Sequence, residues 1–159
     1  TVRTERLNVV DDFFRDRTGQ SLSYDELGLA SVAAVYLGTI PWRQRTRDEV
    51  EAELLSLPAH LRSMHRPTDD ELVEPAFSML FDLGIFWGEV LRSAIPGLAW
   101  SIERREDLVS TGQPVLFGPK SKSRFCPNQV LLTCAKQSIE GRLPPDGVLK
   151  YHHSWLKLL

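Results

Sequence analysis

The spacing of apolar positions makes the first half of the chain helical. Residues 4–17 set Leu7, Val10, Phe13 and Phe14 near the helical period, and Gly19 ends the run. Ser23-Tyr24-Asp25-Glu26 has the S-x-x-E form in which a serine and a glutamate satisfy each other's backbone donors. It predicts a buried helix through LGLASVAAVYLGTI, stopped by Pro41. Thr46 and Glu49 repeat the pattern at the head of TRDEVEAELLSL, which Pro58 stops; a short turn, PAHLRSM, follows. Thr68-Asp69-Asp70-Glu71 is a third such box. It predicts a long helix over 69–95, kinked or restarted where Pro75 removes a donor and ended by Pro96-Gly97.

Beyond Gly97 the period changes. LAWSIER (98–104) and QPVLFG (113–118) alternate and predict an antiparallel hairpin turned through DLVSTG. PKSKSRF reads as a loop. Pro127 sits where a first-turn proline belongs, ahead of the helix NQVLLTCAKQSIEG with Gly141 as its stop. LPPDG is a turn, and VLKYHHSWLKLL is a final amphipathic helix. The expected architecture is a single α+β domain over residues 1–159. It is mainly helical, with a small antiparallel hairpin or sheet in the C-terminal half.

Two glycines in FDLGIFWGEVLRSAIPGLAW need a reason, since each costs about 1 kcal/mol in a helix interior. On a helical wheel Ser78, Asp82, Ile85, Glu89 and Arg92 share one stripe, which reads as solvated. Gly84 and Gly88 fall opposite, with Phe77, Phe81, Leu91 and Ile95. The glycines therefore predict a notch into which a neighbouring helix or strand packs, with residues 77–95 as the buried axle.

Composition narrows the class. Of 159 residues 42% are hydrophobic and 25% charged, ordinary for one globular domain. Asp82, Glu89 and Arg92 interrupt the longest apolar runs, so neither a membrane span nor a basic-then-apolar leader is expected. Cys126 and Cys134 make no disulfide framework; on one helix they stand about 12 Å apart. A cytoplasmic home is the expectation. Net charge is −2 but segregated: residues 46–90 hold ten acids and three bases, residues 91–159 five acids and ten bases.

Candidate chemistry is sparse. His60 and His65 do not share a helical face, and His152 and His153 diverge by about 100°. With no metal-ligand spacing present, neither a metal nor another cofactor is expected. Cys126, at a helix start whose dipole lowers a thiol pKa, and Glu89 are the candidate catalytic groups, each needing a histidine partner. GQPVLFGPKSKSR is no Walker loop, yet Lys120, Lys122 and Arg124 suit an anion or an acidic patch. A pI near 6.1 argues against nucleic acid. Trp42, flanked by Arg43 and Arg45, has the makeup of an interface anchor.

LGIFWGEVLRSAIPGLAW, then PVLFG, then the Pro127-Asn128 helix start resembles a group of small bacterial domains that accompany secreted toxins as immunity proteins. The resemblance covers about residues 77–130, through Phe86 or Trp87, Gly88, Glu89, Val90, Leu91, Gly97, Trp100 and Gly118. It implies a non-enzymatic, cytoplasmic binder of a cognate protein toxin. The expected contact residues are Trp42, Arg43 and Arg45; Glu51, Glu53, Asp69 and Asp70 from the acidic segment; and Lys120, Lys122 and Arg124. The alternatives are a small enzyme built on Cys126 or Glu89, and a small-ligand pocket beside the hairpin.

Overall fold

Residues 2–65, 67–118 and 123–159 are described by the computed structural model. Among them the chain runs α1 (Val2–Thr18), α2 (Glu26–Thr39), β1 (Trp42–Gln44), α3 (Arg47–Ser56), α4 (Ala59–Arg62) and β2 (Asp70–Leu72). It continues through α5 (Glu74–Ala94), β3 (Ala99–Ile102), β4 (Pro114–Phe117), β5 (Arg124–Phe125), α6 (Pro127–Ile139) and α7 (Gly147–Leu158). The fold is α+β: mainly helical, with a three-stranded antiparallel sheet late in the chain.

Local chemistry accounts for most boundaries. Gly19 closes α1 in the left-handed region at φ 70°. The Thr46–Glu49 capping box forms as expected, with both reciprocal bonds present. The cap of α2 lies two residues later than its sequence pattern suggests. Asp25 accepts from the Gly28 amide, and the Ser23 hydroxyl donates to Asp25. A carboxylate next to the helix outcompetes a hydroxyl further out.

The third box does not form. Asp70–Leu72 is a strand paired antiparallel with Trp42–Gln44, in the register Trp42–Leu72, Arg43–Glu71, Gln44–Asp70. The helix then begins at Glu74, and Pro75 falls in its first turn, where no backbone donor is required. The proline therefore starts α5 and does not kink it. Arg124–Phe125, read as loop, adds a third strand to the hairpin by pairing with Leu116 and Phe117.

Helix α5 is the axle. It packs against α1, α2 and α6, and Leu83, Phe86, Trp87 and Leu91 are fully buried along it. Each such side chain contributes about 1.5–3 kcal/mol of burial. A Cβ on Gly84 would strike the Asn128 side chain at the head of α6, and one on Gly88 would enter the Trp100 ring on β3. The glycines are the notches that admit these two neighbours.

The stripe opposite is solvated at Ser78 but covered along its middle. Asp82 is 5% exposed and Ile85 7%, because α1 covers this face. Conversely Phe77, placed on the glycine side, is 53% exposed. The wheel finds the polar stripe but cannot see which neighbour covers it.

Candidate partner-binding surface

The β1–β2 pairing gathers most of the expected contact residues into one lobe. Trp42, Arg43 and Arg45 come from the first strand and its end, Asp70 from the second and Asp69 from just before it, and Glu51 and Glu53 from α3. Arg43 bridges the lobe: its guanidinium donates to both Glu49 oxygens at 3.1 and 2.8 Å and meets Glu71 at 2.6 Å. Arg43, with the Thr46 amide, holds the Glu49 carboxyl at about 2.

Arg45 lies under α3 with its side chain only 13% exposed. It pairs with Glu53 at 2.5 Å and donates to the carbonyls of Thr68 and Glu49. His65 reaches Glu53 at 2.5 Å from the other side, and these two partners depress the Glu53 pKa, His65 the more. Arg45, Glu53, His65, Leu72, Phe77 and Lys136 line a cleft of about 380 Å³ between this lobe and α6. Arg45 is thus an internal pin, while Arg43, 46% exposed, pins the lobe from its surface.

What faces outward is mostly acidic and apolar, with Arg47 and Arg62 the exposed arginines of α3 and α4. Asp48, Glu51, Asp69, Glu71 and Glu74 are exposed. Trp42 (49%), Leu55 (60%), Leu61 (38%), Met64 (77%) and Phe77 (53%) are the large exposed apolar side chains among them. Neither α3 nor α4 contains a buried residue. Arg62 ties α4 back by donating to the carbonyls of Leu55 and Leu57. The arm from Thr46 to His65 is therefore attached by ion pairs and hydrogen bonds, while the core lies elsewhere. Phe77 and Met64 carried no signal in the sequence, because exposure of an apolar residue depends on what fails to cover it.

The remaining candidates lie elsewhere. Arg124 stands on β5 and pairs with Glu103 at 3.2 Å; Lys120 and Lys122 lie outside the described residues. Glu103, unremarked in the sequence, is 1% exposed yet fully served: it accepts from the amides of Arg104 and Arg105 and from the guanidiniums of Arg105 and Arg124. Arg105, first among these, brings its carboxyl down to about 2.

The candidate catalytic groups have structural partners. Burial pushes the Cys126 thiol up against the amides of Gln129 and Asn128, reversing the expected effect of the helix start. Its Sγ donates to Gln113 at 3.3 Å. Glu89 is no solvated ion pair: its side chain is 16% exposed, held bidentately by Arg92 at 3.1 and 2.8 Å, by the Trp100 indole at 2.7 Å and by Arg3 at 3.6 Å. His152 accepts from Trp87 in the core, and His153 pairs with Glu26. Among the described residues no group of three His, Cys, Asp or Glu side chains could hold a metal, and no helix is long and apolar enough to cross a membrane.

No family model, curated protein or solved structure matches the chain.

Proposed function

We propose that the protein is an immunity protein of the bacterial cytoplasm that binds a cognate protein toxin and occludes its active site. The observation that carries this reading is the arm at Thr46–His65. It buries no residue of α3 or α4 and turns Leu55, Met64, Asp48 and Glu51 outward. A helix without a core of its own is suited to complete its packing against a partner. Exposed apolar anchors inside an acidic rim match a basic, substrate-binding cleft, where charge sets approach and the anchors set lifetime. A toxin acting on nucleic acid or a dinucleotide presents such a cleft, and the arm imitates its substrate. The two buried, unpaired cysteines accord with a reducing compartment.

The test pairs the protein with the proposed partner, a toxic domain sought among the products of neighbouring genes. Asp48→Asn with Glu51→Lys removes outward charge without touching the pins at Arg43 and Arg45. Association at low salt should slow by about tenfold while dissociation stays near wild type. Leu55→Ala with Met64→Ala should instead hasten dissociation. Unchanged rates in both variants would contradict the reading.

A further inference from the structure

We propose that a cleft on a different part of the molecule binds a small monoanionic amphiphile, one carboxylate or sulfonate on an apolar body. The cleft, about 450 Å³, opens between the first turns of α1, the middle of α5 and the β3–β4 hairpin. It shares no residue with the acidic arm, so this site is independent of the proposed interface. Its volume falls within the range of small-molecule sites, which are apolar cavities with few, placed polar groups.

The walls are Phe81 and Ile85 from α5, Trp100 and Ile102 from β3, and Pro114 from β4. Trp100 is fixed at two edges: its Nε1 donates to Glu89 at 2.7 Å, and its ring fills the notch at Gly88. The main wall is therefore preformed. Ile102 and Val2, 51% and 68% exposed, stand at the mouth.

The charged groups are Arg3 and Arg6, entering from α1, with Ser101 the other polar side chain of the lining. Each leans on one carboxylate behind it, Arg3 on Glu89 at 3.6 Å and Arg6 on Asp82 at 3.3 Å. These contacts are long and single, unlike the bidentate grips of Arg43 and Arg92. Asp82 Oδ1 is buried without a hydrogen bond, so Arg6 attracts it without donating to it. A guanidinium has five N–H donors, and both side chains are 40–47% exposed. Donors are left over at the cleft. The local charge is also incomplete: among the described residues, the ion-pair partners of Arg3, Arg6 and Arg92 are Asp82 and Glu89. One added anion balances the group, and an apolar body fills the rest.

Calorimetric titration of the whole chain with octanoate, 1-octanol and octylammonium tests this. Octanoate should bind one molecule per chain, 1-octanol about tenfold more weakly, and octylammonium not at all. Arg3→Met, which leaves the Arg6–Asp82 pair in place, should remove the preference for octanoate over 1-octanol. Ile102→Asp, an exposed change that sets a negative charge at the mouth, should abolish octanoate binding; thermal melts confirm that both variants fold. Equal affinity for octanoate and 1-octanol, several molecules per chain, no octanoate heat up to about 10 mM, or binding unaltered in both variants would overturn the proposal.

Discussion

The indole Nε1 of Trp87 donates to Nδ1 of His152 at 3.1 Å, joining the middle of α5 to α7 inside the core. The bond fixes the imidazole tautomer, since Nδ1 accepts and the ring proton sits on Nε2. A second proton on Nδ1 would confront the indole donor. Burial holds the His152 pKa below its ordinary 6.5, with Glu26 opposing and His153 assisting.

Stability should follow. The unfolded chain takes up a proton near pH 6.5 that the folded chain refuses, so this contribution is present above that pH and shrinks below it. His152→Phe strands the Trp87 donor and should cost about 1–3 kcal/mol at pH 7.5. The gap to wild type should narrow at pH 5 in urea melts.

Glu103 acts with the opposite sign. Its depressed pKa, about 2 against 4.5, gives stability that is present above pH 4.5 and lost on acidification toward 2. Glu103→Gln should lower the melting temperature at pH 7 and flatten the acid limb. The two proteins should converge near pH 2.

Asp82 offers a stabilising change. Burial raises its pKa despite Arg6, so its ionised form at neutral pH weighs against the fold. Asp82→Asn should raise stability at pH 7, because half-exposed Arg6 can turn to water. The gain should vanish below pH 4, where the wild-type carboxyl is protonated. Urea melts at both pH values read this directly.

The glycine notches differ in rigidity. Gly88→Ala drives a Cβ into a Trp100 ring that Glu89 holds in place, so overpacking of about 1–3 kcal/mol or more should exceed the helix gain of about 1 kcal/mol. Gly84→Ala meets the end of the Asn128 side chain, which can turn aside, and should cost less. Thermal melts should rank them in that order. Gly88→Ala combined with Trp100→Ala should be less harmful than the separate losses added together.

The parts of the fold that were legible in the sequence are those set by local signals. Thr46 and Glu49, Pro127 and Gly141 mark helix ends through bonds within a few residues, and the alternation in LAWSIER and QPVLFG marks the hairpin. The β1–β2 pair was hidden because its partners lie 30 positions apart at Trp42–Leu72, and Thr68–Glu71 carries a capping pattern of its own. The lobe that unites Trp42, Glu51 and Asp70 follows from that pairing, so its residues were visible singly but their convergence was not. Asp82 and Glu103 were missed for a related reason. Each is a charge whose burial depends on an element elsewhere in the chain, α1 for one and β5 for the other.

The most direct measurement of the central claim is amide hydrogen exchange on the protein alone and with the proposed partner, a toxic domain sought among the products of neighbouring genes. The arm has no core of its own, so α3 and α4 should exchange quickly in the free chain. In the complex the account predicts strong protection of α3, α4, β2 and the first turn of α5, with α7 unchanged. Protection confined to α7 or the β3–β4 hairpin, with the arm still exchanging freely, would contradict it.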